Sequence, residues 1–116
     1  MISTKQITPS LQAHPILRHA TSLLDKWKGK EARLFNLTVN HRKLQLKISE
    51  NRYIDDIPYL VISMHEPITM NGYFDWDNAD IEIQFDNEKY KVLDSNNQVE
   101  IICQNISITE YQNKNQ

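Results

Sequence analysis

The sequence predicts an α+β fold: one N-terminal amphipathic helix followed by a mostly antiparallel meander of about six to eight short strands, which form a partial β-barrel or a strongly bent sheet. Two observations carry this prediction. Near the start of the chain, apolar residues recur at the spacing of a helix. Further along, apolar and polar residues alternate in short runs, and turn-forming residues separate these runs.

The helix is expected at about 15–28. Six apolar residues in this range fall on one face of a helix: Ile16, Leu17, Ala20, Leu23, Leu24 and Trp27. Pro15 suits the first helical position, because its missing N–H has no partner there in any case. Gly29 follows where a helix commonly ends in a glycine.

The first strands are expected to form a hairpin that turns at His41-Arg42. Six alternating apolar residues flank this turn: Phe35, Leu37, Val39, Leu44, Leu46 and Ile48. The register that pairs Phe35 with Ile48 also pairs the other four, so it would place all six on one face of the sheet.

A central strand and a second hairpin are expected next. The run at 59–65 is strongly apolar, as a buried strand requires. Asn71-Gly72 is the best two-residue turn signal in the chain, and it predicts a hairpin between 68–70 and 73–75.

The last part of the chain continues with short strands. A third hairpin is expected to pair Phe85 with Tyr90 across a polar turn. Two further strands are expected at 99–103 and 106–108, where apolar residues alternate again.

Composition bounds the class of protein. The chain has 116 residues, of which 40% are hydrophobic, and this is an ordinary balance for one globular domain over 1–116. The strand region is expected at about 34–111 and a polar tail at 112–116. No apolar run approaches the ~20 residues of a membrane span, and the start lacks the apolar core of a signal peptide. Since a single cysteine excludes a disulfide framework, the expected location is cytoplasmic, without a membrane partner.

The net charge of −2 hides a strong asymmetry along the chain. Residues 1–53 carry ten basic and three acidic side chains, a balance of +7, whereas residues 54–116 carry three basic and twelve acidic ones, a balance of −9. Such a division either steers a partner or pairs the two halves with each other in the fold.

Several chemistries are excluded or disfavoured. Two glycines are too few for a phosphate-binding loop or a dinucleotide fingerprint, and no Gly-x-Ser-x-Gly occurs. The four histidines lack metal-ligand spacing, and Cys103 fits a buried strand position better than a nucleophile. We therefore expect no cofactor, no metal and no catalytic residues, and the sequence favours a non-enzyme over an enzyme.

Three aromatic residues crowd the exit of the Asn71-Gly72 turn. Because side chains alternate between faces, Tyr73 and Phe74 cannot both be buried, so at least one large ring should be exposed. The leading hypothesis is a small non-enzymatic protein-interaction module: an adaptor, assembly factor, inhibitor or regulatory subunit. Its expected partner-binding residues are the rings and the carboxylates around them: Tyr73, Phe74, Asp75, Trp76 and Asp77.

Two alternatives remain open. The first is a small β-barrel that binds nucleic acid through a basic patch, formed by Lys26, Lys28, Arg42 and Lys43. The overall pI of about 6.0 counts against it. The second is a carbohydrate-binding or hydrolytic site around three polar residues near Trp76: Asp75, Asp77 and His65.

Overall fold

The structure, a computed structural model, describes residues 15–38, 42–51, 53–54 and 56–112. Within them the chain forms one α-helix, seven strands and a short 3-10 turn. In chain order these are α1 (Pro15–Lys26), β1 (Glu31–Thr38), β2 (Lys43–Ser49), β3 (Tyr59–Asn71), β4 (Asp75–Trp76), β5 (Glu82–Asp86), β6 (Lys89–Asp94), the 3-10 turn (Ser95–Asn97) and β7 (Val99–Tyr111).

All seven strands belong to one antiparallel sheet, in the order β4-β1-β2-β3-β7-β6-β5. The long strands β3 and β7 pair along most of their length, with a shift of register between Pro67 and Thr69. Glu66 has a positive φ of 56° beside this shift. Because such irregularities bend a strand, they help the sheet to curl into a half-barrel. The predicted α+β fold, with its bent antiparallel sheet, is confirmed.

The concave face of the sheet holds the core. Rows of apolar residues cross from strand to strand in register, for example Leu34 with Leu46 and Leu46 with Ile62. The helix covers this face with four buried residues: Leu17, Ala20, Leu24 and Trp27. Burying residues of this size contributes about 1.5–3 kcal/mol for each large side chain, and this is what holds helix and sheet together.

The helix agrees with its prediction, although it ends at Lys26, two residues before the expected end. After it, the Gly29 N–H donates to the Ala79 carbonyl over 2.7 Å, and the Ala79 N–H donates to the Lys30 carbonyl over 2.8 Å. These bonds tie the end of α1 to the loop before β5. Among the described residues, no helix combines the length and the apolar character that a membrane crossing requires.

The first hairpin forms, but its register differs from the prediction. Ala32 pairs with Ile48 and Leu34 with Leu46, whereas Phe35 was expected to pair with Ile48. Since side chains alternate, this shift by three positions puts Leu34 on the concave face and Phe35 on the other. Leu37, Val39 and His41 lie outside the residues whose side chains are described.

The hairpin predicted at Asn71-Gly72 is wrong. β4 does not fold back onto β3; it crosses to the far side of the sheet and pairs with β1, with Ala32 opposite Trp76. Gly72 has a φ of 134° and lies against Val99, a geometry that a two-residue hairpin turn does not use.

The later strands follow the prediction more closely. Phe85 pairs with Tyr90 in the β5–β6 hairpin, as expected. The two short strands predicted at 99–103 and 106–108 form instead one strand, β7, which continues through the bend beside β3. Of the predicted polar tail, only Gln112 is among the described residues.

Candidate interaction surface

An apolar groove opens between the β1–β2 hairpin and the second half of β3. Its volume is about 380 Å³. Its walls are almost wholly hydrophobic side chains: Leu34, Phe35, Leu44, Pro67, Ile68, Thr69, Met70 and Phe74. This groove is less polar than two clefts beside α1, one lined by Trp27 and Glu110 and the other by Leu24 and Ile83.

Large apolar side chains stand exposed around this groove. Phe74 is 75% exposed, Tyr73 is 58% exposed and Ile68 is 45% exposed. An exposed leucine or isoleucine alone is ordinary on a protein surface, but a group of large residues beside an apolar groove indicates a contact surface. The prediction that at least one ring of the 73–76 segment is exposed is therefore confirmed, and two rings are exposed.

The backbone fixes the position of Phe74. Its carbonyl accepts a hydrogen bond of 2.7 Å from the Leu34 N–H, on the edge of β1 that faces away from β2. β4 then pairs with β1 through Asp75 and Trp76. Phe74 thus lies where the chain has just crossed from β3 to β1, at the wall of the groove.

A charged pair lies beside Pro67, one of the residues that line the groove, and Arg42 Nη2 donates to the Pro67 carbonyl over 3.4 Å. The Arg42 Nε lies 3.1 Å from Glu66 Oε1, and the Glu66 N–H donates to the Arg42 carbonyl over 2.7 Å. Both side chains are more than half exposed, so the ion pair itself contributes little to stability. Together with the backbone bond, it links the residue before β2 to the bend of β3.

Trp76 corrects part of the predicted partner-binding set. It is only 6% exposed, and its indole N–H donates to Asp94 Oδ2 over 2.8 Å. A ring held in the core this way is not a contact residue for a partner. Asp75 and Asp77 are exposed, and Asp75 lies opposite Arg33 in register.

The four cations of the predicted basic patch do not form one surface. Lys43 begins β2, whereas Lys26 contacts Glu110, which is level with Ile48 near the other end of that strand. Lys28 lies near Asp80. β2 is seven residues long, so its ends are about 20 Å apart. The predicted single patch is corrected to two separate pairs of cations.

Most of these cations also face acidic partners from the second half of the chain. Contacts that cross from one half to the other include Lys26 with Glu110 at 2.7 Å, Lys28 with Asp80 at 3.9 Å, and Arg42 with Glu66 at 3.1 Å. The charge asymmetry of the sequence is thus partly neutralised within the fold.

The group proposed for a carbohydrate or hydrolytic site is also separated. His65 lies on β3 beside Lys43 of β2, while Asp75 lies on β4 beside Arg33 of β1. By strand spacing, this separation is on the order of 15–20 Å. Among the described residues, no group of three or more acidic, histidine or cysteine side chains is arranged to hold a metal ion.

The Cys103 thiol is fully buried in the core. Burial raises its pKa to about 11, because the thiolate would lose its hydration, and a backbone hydrogen bond at Asn105 opposes this only in part. At neutral pH the thiol is protonated and shielded. A cysteine nucleophile requires a lowered pKa and access to solvent, so Cys103 is unsuited to this role.

Glu110, near the end of β7, contacts two consecutive side chains at the end of α1, Lys26 and Trp27. Its Oε2 lies 2.7 Å from Lys26 Nζ and accepts a 2.7 Å hydrogen bond from the Trp27 indole. The bond from Lys26 and then that from Trp27 hold the pKa of Glu110 below its usual value. The charged form therefore stabilises the contact between α1 and β7.

Glu110→Gln is expected to lower the free energy of unfolding by about 1 kcal/mol at pH 7, since both contacts favour the carboxylate and are partly exposed. The folded-state pKa is depressed, so this contribution is present above the unfolded pKa of about 4.3 and is lost as the pH falls through the folded pKa. Urea unfolding of both proteins between about pH 7 and pH 3 checks it.

The matched control is Glu100→Gln. Glu100 also has a lysine partner, Lys91, but the atoms are 3.8 Å apart and both side chains are well exposed. We expect its stability at pH 7 to change by less than about 0.5 kcal/mol. A wild-type protein that keeps its full advantage over Glu110→Gln at pH 3 would contradict the assignment.

No family model, curated protein or solved structure matches this chain. The site therefore has to be interpreted from its own geometry.

The sequence analysis missed the β3 wall of the groove, formed by Pro67, Ile68 and Met70. The sequence contains a signal for an apolar surface here, because Ile68 and Met70 are apolar residues that follow Pro67. The prediction assigns this segment to a hairpin with 73–75 instead. Since β4 leaves that hairpin and pairs with β1, the segment keeps its apolar side chains at an open cleft.

Proposed function

We propose that the chain is a small non-enzymatic protein-interaction module, and that its contact surface is the apolar groove, with the exposed ring of Phe74 in its wall and the exposed ring of Tyr73 next to it in the chain. The single observation that carries this proposal is Phe74, a large apolar side chain that is 75% exposed yet held by a backbone hydrogen bond to β1. Exposed aromatic residues beside a preformed apolar cleft are typical of the anchors of protein interfaces.

Other features support an interaction role over the alternatives. The four cations of the predicted basic patch lie in two separate places, so they do not form one continuous basic surface for a nucleic acid. The distance between His65 and Asp75 counts against these two residues as an acid–base pair for hydrolysis. A reducing, cytoplasmic location remains part of the proposal, which the single buried thiol supports.

The test is an affinity purification from the source cell with wild-type protein, Phe74→Ser and Tyr53→Ser, followed by binding measurements with the purified partner. We expect Phe74→Ser to weaken the binding at least about 30-fold, the loss of one anchor residue. Its fold should be unchanged, because the ring is mostly exposed. Circular dichroism and urea unfolding check this.

Tyr53→Ser is the matched control. Tyr53 is an aromatic residue that is 74% exposed, but it lies after the far end of β2, away from the groove. A genuine partner is retained by Tyr53→Ser and lost by Phe74→Ser. Proteins that bind both variants equally, or a wild-type chain that is recovered alone, would refute the proposed function.

A further inference from the structure

Resting on the proposed function, we infer the form in which the partner binds: it contributes an extended, uncharged, alternately apolar segment that pairs with the outer edge of β1 as an additional strand. The segment would continue the edge that β4 begins, and would place alternate side chains into the groove. Partner strands that add to a sheet edge combine backbone hydrogen bonds with side-chain pockets in this way.

β1 has an unused edge among the described residues. β4 is only two residues long and covers Ala32 and Arg33, and the last bond on that side runs from the Leu34 N–H to Phe74. No described strand pairs with that side of β1 from 35 to 38. A strand presents half of its backbone donors and acceptors to each neighbour, so this stretch can receive another strand.

The chemistry of this edge differs from that of the other sheet edge. The uncovered stretch of β1, 35–38, reads Phe-Asn-Leu-Thr and carries no charge. β5, at the opposite edge, carries Glu82 and Asp86 within five residues. Charged residues protect sheet edges against pairing, so charge protects the β5 edge but not the 35–38 stretch of β1. The pairing of β1 with β2 shifts register between Phe35 and Thr38, so a strand added here would follow an irregular stretch.

Charge also indicates an uncharged ligand. The charged groups beside the groove already face opposite charges: Arg42 contacts Glu66, and Arg33 lies opposite Asp75. A charged residue of the partner that entered the groove would lose hydration, and none of the side chains that line the groove carries a charge to compensate it. An uncharged segment meets no such cost.

The exposed area favours a short segment over a second copy of the chain. The exposed parts of Phe74, Tyr73 and Ile68 amount to on the order of 300 Å², since a large aromatic side chain carries about 150–250 Å². A stable dimer of standard size buries about 800 Å² on each partner. The groove itself, at about 380 Å³, has room for a few aliphatic side chains.

The test uses synthetic peptides of about eight residues, long enough for one strand. One peptide alternates valine and threonine and ends in a glycine-serine tail for solubility. A second has the same composition arranged at helical spacing. A third and a fourth peptide carry N-methyl groups on every other residue, the third on the odd positions and the fourth on the even positions. Each therefore lacks the backbone N–H donors along one edge, and in one of the two that edge is the one that faces β1.

We expect the alternating peptide to bind the full chain, to slow amide hydrogen exchange at one or more of residues 35–38, and to bind Phe74→Ser at least about tenfold more weakly. N-methylation should weaken binding by a similar factor in one of the two N-methylated peptides, but not in the other. Tyr53→Ser should bind like wild type.

Three outcomes would overturn the inference: tighter binding of the helical-spacing peptide, no binding of the alternating peptide up to about 1 mM, or self-association of the chain that protects 35–38 without any peptide. A partner whose binding depends on Phe74 but not on backbone pairing at 35–38 would remove this inference and leave the proposed function standing.

Discussion

Asp94→Ala is expected to lower the free energy of unfolding by about 3–5 kcal/mol, a large part of the stability of a chain of this size. Asp94 is fully buried, and its carboxylate accepts bonds from the Trp76 indole at 2.8 Å, the Asp80 N–H at 2.9 Å and the Asn97 side chain at 2.9 Å. The Asn97 N–H adds a fourth at 3.2 Å. Alanine would remove the acceptor of all four bonds: the buried Trp76 indole would lose its partner, and the Asn97 side chain would keep only its 3.3 Å bond to the Asn78 carbonyl. Urea unfolding measures the loss.

Two variants separate this network from general damage. Asp94→Asn keeps one acceptor oxygen, so we expect it to cost less than alanine, about 1.5–3 kcal/mol. Asp80→Asn is the matched control, because Asp80 joins the network through its backbone N–H. Its partly exposed carboxylate has only two long contacts, with Lys28 at 3.9 Å and with the Asn96 side chain at 3.4 Å. It should change stability by less than about 0.5 kcal/mol.

A double-mutant cycle with Trp76→Phe tests whether the bonds act together. Trp76→Phe removes one donor and is expected to cost about 1–2 kcal/mol in the wild type. In the Asp94→Ala background its cost should be smaller, because the indole N–H has already lost its acceptor. Equal costs in both backgrounds would show that Asp94 and Trp76 are not coupled.

The parts of the fold that the sequence predicts well are those that neighbouring residues determine. The helix stripe from Leu17 to Trp27 depends only on helical spacing, and the β5–β6 hairpin joins Phe85 to Tyr90 across a short turn. In the helix and in this hairpin the apolar residues fall on one face only, so only one orientation of each element buries them.

The first hairpin shows why a register is harder to predict. Phe35 is apolar but lies on the face opposite the core and lines the groove, whereas small Ala32 is the residue that packs inside. Alternation alone favours the larger residues as the buried set. The register predicted from alternation is therefore wrong here, because it assumes that a large apolar residue such as Phe35 is buried in the core.

The candidate surface was predictable in part. Crowding of Tyr73 and Phe74 after the turn is visible in the sequence and leads to an exposed ring. The burial of Trp76 is not visible, because it depends on Asp94, a residue 18 positions away. The crossing of β4 to β1 likewise depends on a pairing between distant segments, and no local signal at Asn71-Gly72 reveals it.

Gly72→Ala is expected to destabilise the protein by about 3 kcal/mol or more, because it combines backbone strain with a collision. Gly72 has a φ of 134°, which residues with a side chain rarely adopt. A Cβ at this position would lie 2.9 Å from both Cα and Cγ2 of Val99, closer than non-bonded carbon atoms approach. Relief would require β7 or the 72–74 segment to move, and Phe74 would move with that segment.

Gly29→Ala separates the two causes. Gly29 also has a positive φ, 85°, but a Cβ there would meet only the Asn78 side chain, at 3.7 Å. We expect about 1–2 kcal/mol from backbone strain alone. The excess for Gly72→Ala then measures the contact with Val99, and it should be accompanied by weaker binding at the groove, which Gly29→Ala leaves unchanged. Equal destabilisation by the two variants would mean that Val99 does not limit the approach of the chain, and that Gly72 is required only for its φ.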